Sequence, residues 1–196
     1  MSGHHILIMP GAPALVAELA PAHEPSRRLA AAARRAAAGT GIARAEIVCS
    51  LDERWRTGVT GSFAAWGAPR VSTGAGNHLP ELVARHVLGG GPSAAGSRPH
   101  IGRLNSEALT VVVVDGPAGL NARAPLSLVV GAADTHAALQ RFLAGAGEVD
   151  VDTLGAVGVV EPYLWGELAA LEPVSARLVD SDDSLGVGAY VAVWEV

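Results

Sequence analysis

The chain has 196 residues, of which 49% are hydrophobic, enough to build one globular core and too many for a disordered chain. Its net charge of −5 argues against a nucleic-acid partner, and because every basic residue is arginine, Schiff-base chemistry and a phosphate-loop lysine are excluded. Its single cysteine, Cys49, excludes an internal disulfide and a cysteine-based zinc site.

The first predicted element is a buried strand over residues 4–10 (HHILIMP), which is short, apolar and closed by a Pro-Gly turn. Its two histidines raise the question of a metal site. At about 3.3 Å per residue, His5 lies about 20 Å from Gly11, beyond the other end of the strand. Alternation also points the rings of His4 and His5 to opposite faces of the strand. We therefore interpret the pair as a polar strand entrance.

A helix is predicted next, over residues 24–39 (EPSRRLAAAARRAAAG), with Ser26 as its cap and its arginines on a solvent face. Residues 45–51 (AEIVCSL) predict a second strand, and residues 79–91 (LPELVARHVLGGG) predict a second helix. The glycine-rich stretch over residues 89–103 predicts a flexible loop.

Residues 108–116 (ALTVVVVDG) form the clearest strand pattern in the chain, and their uniform apolarity predicts a central position in a sheet. Asp134 is the predicted cap of the helix that comes next. The remaining predicted elements are, in order, a helix over 132–147, a short helix over 160–173, and strands over 174–183 and 186–196.

Because strands alternate with helices through most of the length, the pattern predicts a single-domain α/β sandwich over residues 1–196. We expect a mostly parallel central sheet flanked by helices, with one or two antiparallel strands at the end. No basic segment followed by a long apolar core opens the sequence, so no signal peptide is expected. The longest apolar run, near 111–114, is too short to span a bilayer, so no membrane contact is expected. The single cysteine predicts a cytoplasmic protein.

Ligands in open α/β sheets bind beyond the carboxyl ends of the strands, so the loops after the predicted strands are candidates for a site. His78 and Asp115 are the candidate catalytic acid or base groups in these loops. The residues predicted to line a ligand site are Gly11, Ser50, Asp52, Glu53, Arg54, His78, Asp115, Asn121 and Arg123.

Several of these residues also have a plainer interpretation. Residues 52–54 can form a solvated turn with a local ion pair, and Asp115 with Gly116 is a common turn sequence. His78 can cap or pack against the start of a helix. Asp134 and His136 resemble a metal pair, but a helix cap followed by a first-turn residue explains them better.

Four stretches resemble a known family: MPGAPALVAEL (9–19), GSFAAWGAP (61–69) with LPELVARHVLG (79–89), VVVVDGPAGLNARAP (111–125) and DDSLGVGAYVAVWEV (182–196). The last is the most specific, because this family tends to close with Gly-Val-Gly, an aromatic residue and a final tryptophan strand. The chain thus resembles the actinobacterial proteins that are similar to LigB of the class III extradiol dioxygenases, within the LigB and Memo superfamily.

The resemblance implies where a metal centre would fall. Active enzymes of this class hold a non-haem ferrous ion with two histidines and a carboxylate, and use a further histidine as acid or base. The resemblance places these histidines after the first, second and central strands. Here those positions hold Gly11, residues 50–55 (SLDERW) and residues 115–121 (DGPAGLN), so none of the three carries the expected histidine. Relatives often form dimers, so the resemblance also implies a homodimer.

The resemblance, together with the missing histidines, implies a degenerate, metal-free member of the class III extradiol dioxygenase-like fold, repurposed to bind a small organic molecule or to convert it without a metal. One alternative is an active metal-dependent ring-cleavage dioxygenase with non-haem iron and atypical ligands. Asp52 or Glu53 with Asp115 can form an oxygen-rich site, but such a site suits magnesium or calcium better than oxygen-activating iron. A second alternative is a non-catalytic interaction subunit. Whether the protein is an enzyme stays open at this level.

Overall fold

A six-stranded sheet runs through the centre of the protein, described over residues 3–196 by a computed structural model. The strands are β1 (His5–Met9), β2 (Arg44–Val48), β3 (Ser62–Phe63), β4 (Ala68–Ser72), β5 (Ser93–Arg98), β6 (Leu109–Val113), β7 (Ser175–Asp182) and β8 (Ala189–Glu195). Six of them form the sheet in the order β5-β2-β6-β1-β8-β7, while β3 and β4 pair separately as a short hairpin. Strands β5, β2, β6 and β1 are parallel, and β8 and β7 continue the sheet in antiparallel pairs. The mixed α/β class and the mostly parallel sheet are therefore confirmed.

Strand β6 is buried at every position and lies between β1 and β2, as its apolar sequence predicts. Val111 pairs in register with Leu7 on one side and with Ile47 on the other. A parallel strand covered on both faces needs apolar side chains in both directions, which explains the unbroken run of valines. The carboxyl ends of β1, β2 and β6 consequently meet at one edge of the sheet.

In the described part of the chain, four helices cover the two faces of this sheet: α1 (Glu24–Gly39), α2 (Leu79–Leu88), α3 (Ala132–Leu143) and α4 (Pro162–Ala169). Helices α1 and α2 share a hydrophobic cluster with Leu7 and Met9, whereas α3 and α4 share another with Ile6 and Ile8. Successive side chains of a strand point to opposite faces, so β1 contributes to both clusters in alternation. Among residues 3–196, no helix is long and apolar enough to cross a membrane.

Both predicted helix caps are wrong by about one turn. The cap of α1 is His23, whose Nδ1 accepts a hydrogen bond from the backbone N–H of Ser26 at 3.3 Å. Helix α3 is preceded by Gly131 at φ 85°, and Asp134 lies inside its first turn. A carboxylate is also favourable in the first turn, next to the positive end of the helix dipole, so an acidic residue alone does not mark the cap.

The flexible loop predicted over residues 89–103 contains strand β5, so that prediction is wrong for residues 93–98. The strand is held mainly by backbone pairing with β2, and one further hydrogen bond runs from Nη1 of Arg85 in α2 to the carbonyl of Ala94. Its small side chains carry little hydrophobic periodicity, which is why the sequence pattern did not reveal it. The pairing extends past the strand ends, since the Cys49 N–H donates to the Arg98 carbonyl at 3.0 Å.

Candidate functional site

An apolar pocket of about 260 Å³ opens at the edge of the sheet where β1, β2 and β6 end. Gly11, Ser50 and Asp115, which follow these three strands, form its base. Its other walls include Ala12, Pro13, Trp55, Leu79, Pro80, Ala118, Pro125, Val160, Glu161 and Val187. This is the place where ligands bind in open α/β sheets.

Asp115 is the carboxyl group at the base of this pocket. The Gly11 backbone N–H donates to both of its side-chain oxygens, at 3.1 and 3.3 Å. Burial among apolar groups raises the pKa of Asp115 to about 7, although the Gly11 hydrogen bond acts in the opposite direction. The carboxyl group can therefore donate or accept a proton near neutral pH.

Gly11 allows this close approach because it has no side chain. A Cβ at this position would lie 3.1 Å from Val113 Cγ1, 3.3 Å from Asp115 Oδ2 and 3.4 Å from Pro80 Cβ. Any larger residue would press on the carboxyl group and reduce the space at the base of the pocket. The glycine thus brings two strand ends together and leaves room beside the acid.

Glu161 ties the mouth of the pocket to the loop after β2. Its Oε1 accepts a hydrogen bond from the Trp55 indole N–H at 3.0 Å and lies 3.4 Å from Arg54 Nη2. Arg54 also pairs with Asp52 at 3.3 Å, and its guanidinium lies 5.6 Å from the centre of the Trp55 ring. These contacts hold the tryptophan as a wall of the pocket and engage the Glu161 carboxylate.

Behind Asp115 lies a buried pair, Tyr190 and His136, whose rings stack with centroids 5.2 Å apart. The Tyr190 hydroxyl lies 2.6 Å from His136 Nδ1. Burial lowers the pKa of His136 and raises the pKa of Tyr190, so both groups are neutral and share one hydrogen bond. Trp165 completes the support by donating its indole N–H to the Asp115 backbone carbonyl at 3.0 Å.

The structure brings three of the predicted site residues together at the pocket: Gly11, Ser50 and Asp115. The side chains at 52–54 lie on the exposed surface beside the mouth, where the predicted local ion pair forms between Asp52 and Arg54. They border the pocket and do not line it.

The other predicted site residues lie away from this pocket. His78 comes directly before α2 and pairs through its backbone with Arg56, while the next two residues along the chain line the pocket. Asn121 and Arg123 border a separate groove near Leu185, and the Asn121 side-chain oxygen accepts the Arg123 backbone N–H at 2.9 Å. That local turn accounts for Asn121 without a ligand.

Sequence reasoning missed the residues that close the pocket, above all Trp55 and Glu161. They meet although 106 positions separate them in sequence, and neither carries a local motif. It also missed the Tyr190–His136 pair. A signal was present in Gly116 and Gly188, because a Cβ at either position would lie 2.4 Å from the Tyr190 hydroxyl.

The side chains here do not fit the ferrous ion that the resemblance implies for active enzymes. Among residues 3–196, no three His, Cys, Asp or Glu side chains come together in a group that could hold a metal. The pocket offers the carboxylates of Asp115 and Glu161 and the hydroxyl of Ser50, without an imidazole on its lining. Oxygen-activating iron sites of this kind need two histidines beside the carboxylate.

The fold and the site define a mixed α/β protein with an apolar pocket at the carboxyl edge of its sheet and one acid at the base of that pocket. No family model matches the chain, and no curated protein matches it. The chemistry of the pocket therefore carries the functional conclusion.

Proposed function

We propose that the chain is a metal-independent member of the class III extradiol dioxygenase-like fold of the LigB and Memo superfamily, and that it binds a small organic molecule in the Asp115 pocket. The observation that carries the proposal is a carboxyl group with a pKa near 7 at the base of an apolar cavity. Perturbed acids in pockets of this kind are typical of functional sites. By the resemblance, Asp115 follows the same strand that carries the acid/base histidine in active relatives.

The walls indicate the class of ligand. Valine, leucine and proline side chains favour an apolar or aromatic body, and a cavity of about 150 Å³ already holds benzene. A pocket of about 260 Å³ therefore suits a single substituted ring. Protonated Asp115 would donate a hydrogen bond to a carbonyl or hydroxyl group of that ligand, and ionised Asp115 would accept one.

Asp115 also supports proton transfer to or from the ligand. A general acid or base works best when its pKa lies near the working pH, which is the case here. Burial in an apolar cavity supplies that tuning without a metal.

Ligand binding is tested with a panel of single-ring phenols and ring carbonyl compounds, measured by ligand-observed NMR and by the thermal unfolding midpoint. Val187→Phe fills the pocket and should weaken ligand binding at least tenfold. Asp115→Asn should lower the affinity for those ligands whose polar group faces the acid. Val174→Phe is the matched control, because Val174 is 80% exposed and does not line the Asp115 pocket.

The proposal fails if no member of the panel binds, or if Val187→Phe binds as tightly as the parent. Elemental analysis is run on the same protein, purified without chelators. Stoichiometric iron with imidazole ligands in its spectrum would contradict a metal-independent pocket.

A second candidate function, subunit association, is favoured by exposed apolar residues on the loop after β6. Leu126, Leu128 and Val130 are exposed, Val130 to 94%, and such clusters often mark interfaces. We propose that this loop forms the homodimer contact that the family resemblance implies. Light scattering should then show a dimer that Val130→Asp shifts towards monomer, whereas a monomeric parent protein would contradict the proposal.

A further inference from the structure

A charged groove lies on the α4 side of the sheet, away from the Asp115 pocket, with which it shares no lining residue. We call it the Arg98 groove; its lining includes His4, Glu46, Arg98, Arg103, Asn105 and Leu171. Glu46 comes from β2, Arg98 is the last residue of β5, and Arg103 and Asn105 belong to the segment between β5 and β6.

The guanidinium of Arg98 has more donors than the protein satisfies. Its Nη1 donates to the Arg103 carbonyl at 3.4 Å, and its Nη2 lies 3.1 Å from Glu46 Oε2. Nε and Nη2 are both shielded from solvent. Nε has no hydrogen-bond partner among residues 3–196, and Nη2 has only the ion pair with Glu46, which does not meet the geometry of a hydrogen bond. The side chain as a whole is 32% exposed, so its remaining surface faces the groove.

Two further features describe the groove. The Nδ1 atom of His4 is also buried here and lacks a hydrogen-bond partner among the described residues, and its tautomer decides whether it donates or accepts. Glu46 is the only acidic side chain among the described residues that line the groove, and its Oε1 accepts a hydrogen bond from Asn105 Nδ2 at 3.2 Å. Buried donors without acceptors are costly and usually have a partner, so the groove lacks an acceptor.

The net charge of the groove favours an anion as the missing hydrogen-bond acceptor. Two arginines and one glutamate line the groove, which gives a net charge of +1 with His4 neutral, in a chain whose net charge is −5. The planar edge of a guanidinium, with Nε and Nη2 side by side, matches the spacing of two oxygens of a carboxylate or phosphate group.

We propose that the Arg98 groove binds a small oxyanion, a carboxylate or phosphate group, which displaces the Glu46 carboxylate and so opens the Nε and Nη2 edge of Arg98, with Arg103 adding positive charge at the rim. Glu46 competes with the anion for Arg98 and so limits its affinity. The site is independent of the function proposed for the Asp115 pocket.

The test is an NMR titration that follows the arginine Nε–H resonances with inorganic phosphate and, separately, with acetate, at constant ionic strength. The Arg98 resonance should shift in a saturable way. Glu46→Gln should tighten binding roughly tenfold, because it removes the competing carboxylate and frees Nη2. Arg103→Gln should weaken binding several-fold, and Arg70→Gln, at an exposed position of β4, is the matched control that should change nothing.

If phosphate binds more tightly than acetate, the natural ligand class is a phosphate ester. If acetate binds more tightly than phosphate, the natural ligand class is a carboxylate. The proposal is overturned if neither anion gives a saturable shift at Arg98. It is also overturned if Glu46→Gln leaves the affinity unchanged or lower, because Arg98 would then be only a structural partner of Glu46. These variants keep Arg98 in place, so the test does not depend on how well a protein without Arg98 folds.

Discussion

At Asp115, two opposing influences act on one side chain. Apolar surroundings favour the neutral carboxyl group, and the Gly11 N–H favours the carboxylate. Burial is the larger influence and sets the pKa at about 7. This balance links the pocket to the stability of the fold, because the native state and the unfolded chain then bind different numbers of protons.

We predict that part of the stability is lost as the pH rises from about 4 to above 7. In this range the unfolded chain has released the Asp115 proton, since its pKa is 3.8, while the native state still holds it. The contribution is complete below pH 4 and disappears through pH 7, and about three pKa units correspond to at most about 4 kcal/mol. Urea unfolding at pH 5, 6, 7 and 8 measures the slope.

Asp115→Asn should flatten this slope, because its amide oxygen can still accept the Gly11 N–H but does not ionise. Glu107→Gln removes an exposed carboxylate and should leave the slope as it is. If Asp115→Asn kept the full pH dependence, another group would be responsible.

Gly116 and Tyr190 should be coupled energetically. A Cβ at position 116 would meet the Tyr190 hydroxyl at 2.4 Å and its ring carbons at 2.8 and 3.0 Å, so Gly116→Ala should cost about 1–3 kcal/mol of unfolding free energy. Tyr190→Phe alone also destabilises, because it leaves His136 without its partner. In the double variant the losses should be less than additive, since the closest clash is gone. Additive losses in chemical unfolding would contradict this packing.

At the residue scale, Gly11, Ser50 and Asp115 were predictable from the positions of the strand ends, because each lies two residues beyond the end of an apolar strand. It could not find Glu161 or Trp55, since their contact depends on how the segment before α4 crosses the loop after β2. Nor could it place His78, Asn121 and Arg123, because adjacency to a strand or helix end does not say which way a loop turns.

At the scale of elements, the strands and helices with strong hydrophobic periodicity were predictable. Helix α1 agrees with its predicted range, and β6 is central because its valines are covered on both sides. Strand β5 and the β3–β4 hairpin were not predictable in this way, because their short or polar sequences are held by backbone pairing and neighbouring elements. Such strands are visible only after their partners have been placed.

The contact between α2 and β5 gives an element-scale prediction. Arg85 donates to Glu81 Oε1 and to the Ala94 carbonyl, both at 3.0 Å, and the two charged side chains are only 12% and 7% exposed. Arg85→Met leaves the Glu81 carboxylate buried without its partner and should cost about 3–5 kcal/mol of unfolding free energy.

Hydrogen exchange in Arg85→Met should also quicken in β5, because Ala94 loses a bond to α2. Arg35→Met, at an exposed position of α1, should change the stability by no more than about 0.5 kcal/mol. Equal effects of the two substitutions would show that the buried pair has no special role.

At the scale of the whole molecule, one sheet separates two hydrophobic clusters and belongs to both. The cluster on the α1 and α2 side includes Leu82, and the cluster on the α3 and α4 side includes Leu164, both fully shielded from solvent. Because β1, β6 and β8 contribute side chains to each cluster, neither face can lose its packing without disturbing the other.

Leu82→Ala and Leu164→Ala should therefore each lower the free energy of unfolding by about 2–5 kcal/mol and leave a single transition. Far-UV circular dichroism and tryptophan fluorescence should give the same midpoint in both variants. Separate midpoints for the two signals would mean that the faces unfold independently.

The reactivity of Cys49 provides a chemical probe of local opening at this edge of the sheet. It is the only thiol of the chain, it is buried directly before Ser50 at the base of the pocket, and burial raises its pKa to about 12. An aromatic disulfide reagent can modify it only while this corner of the sheet is transiently open. The labelling rate consequently reports how often the corner opens, and any molecule seated against Ser50 should slow the reaction without touching the sulfur.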